Sequence, residues 1–131
     1  MKKNANTVMF NLAPRNPNVN GIYYDKESYN KALSKFLSVN QPLYDRYDND
    51  TNYYKSDSHN TIGVISNYII DDDDGIIEVR LDERLKFITN KDYVIGFKLI
   101  TKGNPFTDEN GHKRYIIDKI LYATLINKEF L

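Results

Sequence analysis

The sequence predicts an α+β fold: a mainly antiparallel β-sheet or small barrel that carries one principal helix. The chain has 131 residues, enough to bury one core without disulfides or metal. Short apolar runs separated by turn signals fill most of the second half, which is typical of strands. One segment, residues 25–38, instead places its apolar side chains at helical spacing. We therefore expect a single domain over residues 1–131 with no internal repeat.

The first half of the chain contains a short strand and the predicted helix. Residues 7–12 have a strand-like composition, and the segment after them contains Pro14, Pro17 and Gly21, which indicates a loop. The side chain of Asp25 can cap a helix over 25–38 by accepting hydrogen bonds from backbone N–H groups. Residues at positions i, i+4, i+7 and i+8 form its apolar face: Tyr29, Leu33, Phe36 and Leu37.

A long polar loop is predicted over residues 41–60. Its length and its Asp, Asn and Ser content are unusual for a connection inside a compact domain, which indicates a functional or disordered segment. Tyrosine combines apolar area with a hydroxyl group and is favoured at binding surfaces, as is arginine. We therefore predict a protein interaction surface over residues 41–58 of this loop, unless its tyrosines cover the edge of the core. Its leading residues are Tyr44, Arg46, Tyr47, Tyr53 and Tyr54.

The second half is predicted to be mostly strand. Residues 62–70 and 75–81 form a hairpin whose turn contains Asp71–Asp74, and residues 82–91 form a short helix. Further strands are expected over 93–100 and 115–127, joined by a long turn that contains Asn110 and Gly111. The apolar positions of these strands predict core members at Ile62, Ile77, Val79, Ile95, Ile117 and Ile120.

Composition excludes several classes of site. Lys plus Arg and Asp plus Glu each number 18, so the net charge is zero, and no general electrostatic attraction to nucleic acid is expected. The chain has no Cys and only two His, so we predict no cofactor and no metal centre. No apolar run approaches the roughly 20 residues of a membrane span, and the first ten residues lack the apolar core of a secretory signal. We expect a cytoplasmic protein, or part of a particle assembled in the cytoplasm.

The four consecutive aspartates, Asp71–Asp74, do not fit a calcium loop. An EF-hand loop needs Gly at its sixth position and Glu at its twelfth. With Gly75 sixth, the first position would be Ile70 and the twelfth Leu81, and neither residue can ligate calcium. We therefore expect a hairpin turn whose carboxylates are screened by water.

Several segments in order resemble one known protein family. They are NPNVNGIYYDKESYNKAL, QPLYDRYD, SHNTIGVISNYIIDDDDGIIEVRL, YVIGFKLI and LYATLIN, which span about residues 15–127. Each is similar to a block of the prohead maturation proteases of tailed phages, small serine proteases with a herpesvirus-protease-like fold. In that family a His precedes an Ile-Gly, a Ser-Ile-Gly-Phe strand carries the nucleophile, and the final strand carries an acidic residue.

The chain departs from this family at the catalytic positions. The resemblance aligns His59 with the catalytic histidine, but it aligns Val94 with the nucleophile and Tyr122 with the acidic residue. Valine has no hydroxyl group and cannot form an acyl intermediate. A one-residue shift does not restore the nucleophile, because no Ser occurs after Ser66. The resemblance therefore implies a protease-like fold without protease chemistry.

The resulting expectation is a non-enzymatic structural protein of a phage virion. Asn, Lys, Ile and Tyr make up 54 of the 131 residues, a bias typical of AT-rich coding sequence, such as that of low-GC bacteria and their phages. We expect an auxiliary capsid, head-fibre or head–tail connection component, present in multiple copies, that binds other virion proteins and neither a membrane nor a specific nucleic-acid sequence. Three alternatives stay open. They are an active maturation protease using Ser56, Ser58 or Ser66, a small host-directed or anti-defence binding protein, and a nucleic-acid-binding OB-type barrel.

Overall fold

The computed structural model describes residues 7–45, 61–85 and 88–131. In chain order the described elements are β1 (Thr7–Asn11), β2 (Tyr23–Tyr24), α1 (Lys26–Phe36), β3 (Gln41–Tyr44), β4 (Thr61–Asp71), β5 (Asp74–Leu81), β6 (Tyr93–Thr101), β7 (Phe106–Thr107), β8 (Lys113–Tyr115) and β9 (Ile117–Asn127). Short 3₁₀ turns follow β5 at Glu83–Leu85 and β9 at Lys128–Phe130. The predicted α+β class, mainly antiparallel strand with one helix, is confirmed.

Helix α1 forms where the sequence predicted it. The Asp25 carboxylate caps the helix by accepting a hydrogen bond from the Ser28 N–H at 3.0 Å. Glu27 in the first turn and Lys35 in the last turn both complement the helix dipole. The predicted apolar face is buried, and Leu33 is completely inaccessible to solvent. Burial of such a side chain contributes about 1.5–3 kcal/mol, so this face holds the helix on the sheet.

Six strands form the main sheet in the order β1-β5-β4-β3-β9-β6. Every neighbouring pair is antiparallel except β3 and β9, which are parallel. The sheet curls, and its two edge strands meet at one point, where Leu12 forms a bridge to Ile95 and the Ala13 N–H donates to the Ile95 carbonyl at 2.8 Å. A second small sheet has the order β2-β8-β7.

The core lies between α1 and the concave face of the main sheet. Alternate residues of the strands point into it, as their period of two requires. Five of the six predicted core residues are buried, namely Ile77, Val79, Ile95, Ile117 and Ile120, whereas Ile62 is only partly buried at the edge of the cluster.

Three boundaries differ from the sequence-based expectation. The predicted loop 41–60 begins with strand β3, which pairs with both β4 and β9. Pro42 fits there because only Leu43 and Tyr44 pair with β9, so the missing N–H of Pro42 is not needed on that side. The predicted helix over 82–91 is only a 3₁₀ turn among its described residues. The predicted strand 115–127 is interrupted at Ile116, between β8 and β9.

Candidate functional site

The predicted interaction residues are divided between the core and the part of the chain outside the description. Tyr44 is buried, with 6% of its surface exposed, and its ring packs edge-to-face on Tyr122 at 5.6 Å between centroids. This corrects the assignment of Tyr44 to an interaction surface, because Tyr44 is buried in a small cluster with Tyr122, separate from the main core that contains Leu43. The other four residues lie outside the described residues: Arg46, Tyr47, Tyr53 and Tyr54.

Two of the three positions that the protease resemblance aligns with catalytic residues, Val94 and Tyr122, are buried. Val94 lies in β6 opposite Ile126 and is 5% exposed. Tyr122 lies in β9 and is 1% exposed. His59 is outside the described residues. Two of the three positions are therefore packing positions in this chain.

Ser66, one of the candidate nucleophiles, is hydrogen-bonded to a carboxylate of the neighbouring strand. It lies at a bulge in β4, and its Oγ lies 2.7 Å from Glu78 Oε1. The one histidine within the described residues, His112, lies instead between β7 and β8 in the small sheet. The other candidate nucleophiles, Ser56 and Ser58, lie outside the description.

The acidic turn, residues 71–74, is held by side chains from distant parts of the chain. Arg15 donates from Nε to the Asp73 carbonyl at 3.0 Å and from Nη2 to the Asp72 carbonyl. The Lys26 ammonium pairs with the carboxylates of Asp72 at 3.1 Å and of Asp73 at 3.6 Å. The hydrogen bond to Asp72 raises the pKa of Lys26 above its ordinary value. The prediction of a hairpin turn is correct, but water is not its only contact.

Arg15 is the most unusual polar residue of the described structure. It is 4% exposed, its Nη1 donates to Asn30 Oδ1 at 2.8 Å, and its guanidinium lies 4.9 Å from the centre of the Tyr29 ring. Sequence reasoning missed it, because the sequence around it contains two prolines and indicates only a loop. Its carbonyl partners, Asp72 and Asp73, are 57 and 58 positions away along the chain, so no local signal in the sequence indicates them.

A cavity of about 470 Å³ lies beside Arg15, between the segment 13–20 and strand β6. Its apolar wall comes mainly from β6 and β9, with Phe97, Leu99 and Ile126 among the lining residues. Gly96 lies in the same wall, and a Cβ atom there would come within 2.3 Å of Ile126 Cδ1. The cavity forms because the chain that follows β1 turns away from β6 after the bridge between Leu12 and Ile95.

The β7–β8 connection forms a second polar cluster, on the small sheet. The rings of Tyr23 and His112 stack at 4.0 Å, and the guanidinium of Arg114 lies 5.3 Å from the Tyr23 ring centre. Arg114 Nε donates to Asp108 Oδ2 at 2.6 Å, and this bond holds the pKa of Asp108 below its usual value. These contacts hold the β7–β8 loop together and against β2. The charge of Arg114 is matched by that of Asp108.

The convex face of the β1–β5–β4 part of the sheet carries exposed apolar side chains. Ile69 and Ile76 face each other across β4 and β5 and are 65% and 40% exposed. Met9 and Val64 lie on the same face and are 44% and 40% exposed. We call these four residues the outer apolar face. Scattered apolar side chains are ordinary, whereas apolar neighbours on one sheet face are typical of contact surfaces.

Within the described ranges, no group of three or more His, Cys, Asp or Glu could hold a metal ion. None of the helices in these ranges has the length and apolar character needed to cross a membrane. No protein-family model matches this chain, and no curated protein or solved structure shows significant similarity to it.

Proposed function

We propose that this protein is a non-enzymatic structural component of a tailed-phage virion and acts by binding neighbouring virion proteins. Its place in the particle is that of an auxiliary capsid, head-fibre or head–tail connection protein. The observation that carries the proposal is the outer apolar face, Met9, Val64, Ile69 and Ile76, which has no covering element within the described residues.

Two further observations support this proposal. Val94 and Tyr122, which the protease resemblance aligns with catalytic residues, are buried. Glu78 and Arg80 lie among the exposed apolar residues on the same face of β5. An apolar patch with charged residues of both signs favours a specific protein contact over nonspecific association.

The test compares two substitutions of equally exposed apolar residues. Ile69→Asp places a charge on the outer apolar face, whereas Val39→Asp places one on the turn after α1, where Val39 is 63% exposed. We expect Ile69→Asp to reduce the number of copies in purified particles at least about tenfold, since a desolvated charge at an interface costs several kcal/mol. Val39→Asp should be incorporated like the wild type.

The result that would contradict the proposal is equal incorporation of the two variants, or equal loss of both. Thermal unfolding of the purified variants serves as the control, because both residues are exposed and neither substitution should lower the melting temperature appreciably. The loop residues Tyr47 and Tyr54 stay a separate prediction, and their substitution by Ala is the matching test for the segment 46–60.

A further inference from the structure

The cavity beside Arg15 has the features of a ligand site rather than of a packing defect. Its volume of about 470 Å³ lies within the range of small-molecule sites, about 300–1,000 Å³. Its position is fixed by the fold, because segment 13–20 leaves β6 just beyond the Leu12–Ile95 bridge.

Arg15 provides a buried positive charge at this cavity. Its three hydrogen-bond acceptors, the carbonyls of Asp72 and Asp73 and the side-chain oxygen of Asn30, are all neutral. The two carboxylates of the same turn pair instead with Lys26, and none of the ion pairs within the described residues involves Arg15. A guanidinium has five N–H donors, and three of them are engaged here.

Tyr29 provides a second donor at the same place. Its side chain lines the cavity, and its hydroxyl makes no hydrogen bond with any described residue. Burial raises the pKa of Tyr29 far above its ordinary value, so the hydroxyl keeps its proton and can donate it to an acceptor. Arginine and tyrosine together thus offer hydrogen-bond donors and one positive charge, a combination suited to a carboxylate.

The opposite wall of the cavity is apolar and therefore suits the hydrocarbon part of a ligand. Phe97, Leu99 and Ile126 contribute hydrocarbon surface and no charge. Arg15 is the one charged residue among the described lining residues. A ligand that satisfies both walls has an anionic head and an apolar body.

We propose that this cavity binds a small carboxylic acid with an apolar body, its carboxylate at Arg15 and Tyr29 and its hydrocarbon against Phe97, Leu99 and Ile126. Such a ligand would form the direct ion pair with the guanidinium that the carboxylates of the acidic turn, which pair with Lys26, do not form. This site is independent of the virion role proposed above, since it lies between the segment 13–20 and β6 and not on the outer apolar face.

The test is a titration of the full chain with octanoate, octanamide and acetate, followed by the backbone amide resonances. Octanoate has both the head and the body, octanamide lacks the charge, and acetate lacks the body. We expect octanoate to shift the amides of residues 13–20 and 95–101 and to bind at least about tenfold more tightly than either control, because a charge-assisted hydrogen bond is about twice as strong as a neutral one. Equal affinity for octanoate and octanamide, shifts confined to other residues, or no shift would each overturn the proposal.

Two substitutions locate the binding groups. Tyr29→Phe removes only the hydroxyl and should weaken octanoate binding about three- to tenfold while leaving octanamide less affected. Leu99→Ala should weaken octanoate and octanamide by the same factor, because it shortens the apolar wall. Arg80→Lys, on the convex face, is the matched control and should change neither affinity. An unchanged affinity for octanoate in Tyr29→Phe and in Leu99→Ala would place the ligand elsewhere and contradict the proposed site.

Discussion

Two polar turns of this protein differ in where their stabilising contacts come from. The acidic turn, residues 71–74, is fixed by Arg15 and Lys26, which are 46 or more positions away along the chain. The glycine turn, residues 108–112, is fixed mainly by contacts within the turn: Asp108 Oδ1 accepts from the N–H groups of Asn110 and His112, both at 2.9 Å. Gly111 there has a φ of 82°, which glycine adopts without strain.

This difference determines what each turn does for the fold. The acidic turn connects the β4–β5 hairpin to the segment before β2 and to α1, so its contacts add to the backbone pairing of β5 with β1. The glycine turn shapes the small sheet, and its longer contacts reach β2 of that same sheet: the His112 ring stacks on Tyr23, and the nearby Arg114 Nη1 donates to the Tyr24 carbonyl at 2.7 Å. A substitution that removes contacts of the acidic turn should therefore destabilise the whole fold. A substitution in the glycine turn should destabilise only the small sheet.

The largest effect is expected from Arg15→Ala. This change removes three hydrogen bonds from a charged donor and leaves the carbonyls of Asp72 and Asp73 without that partner. We expect the free energy of unfolding to fall by about 2–4 kcal/mol, measured by urea denaturation. Arg80→Ala, on the convex sheet face, is the control and should change it by less than about 0.5 kcal/mol. Equal effects of the two changes would show that Arg15 does not join these segments.

A smaller and local effect is expected from Asp108→Asn. The hydrogen bond from Arg114 lowers the pKa of Asp108 in the folded state, so the ionised carboxylate stabilises the fold above the unfolded pKa of about 4. This contribution is lost as the pH falls through the lower folded pKa. The stability difference between the wild type and Asp108→Asn should therefore be largest near pH 7 and shrink below about pH 4.

Hydrogen exchange tests whether the Asp108 effect is local. Amides of residues 106–115 should exchange faster in Asp108→Asn, while those of β4 and β5 keep wild-type protection. Faster exchange throughout the main sheet would show that the effect of Asp108→Asn is not local, which would contradict the proposed difference between the two turns.

The smallest effect is expected from Lys26→Gln. Lys26 is 46% exposed in its side chain and pairs with carboxylates that water also reaches, so the ion pair is largely screened. We expect a loss of stability well below that of Arg15→Ala, and one that disappears at about 0.5 M salt, where the Debye length is only a few Å. If Lys26→Gln lowered the free energy of unfolding as much as Arg15→Ala, the ion pairs of Lys26 rather than the hydrogen bonds of Arg15 would hold the acidic turn in place.

Local patterns of the sequence predict much of this fold. The helix follows from Asp25 and from the spacing of Tyr29 and Leu33, and β5 follows from the alternation of Ile77 and Val79 with charged residues. The short strands were missed because two or three residues, as in β2 and β8, have no measurable period. Strand β3 was missed because Pro42 argues locally against a strand, and only its partners β4 and β9 make it one.

The candidate sites are less accessible to sequence reasoning, because they depend on contacts between distant residues. Nothing near Arg15 in the sequence indicates that it meets Asp72 and Asp73, which are 57 and 58 positions away. The outer apolar face likewise combines residues of three strands whose register only the sheet defines. Tyr44 shows the reverse case, since a polar, tyrosine-rich neighbourhood indicated a surface where the strand pairing creates a buried position.

The most direct test of the proposed virion role is mass spectrometry of purified phage particles from the source culture, with the copy number measured against the major capsid protein. We expect the chain to be present in every particle. Tens of copies or more would indicate a capsid or fibre position, and about a dozen would indicate the neck. Absence of the chain from purified particles would contradict the proposed function.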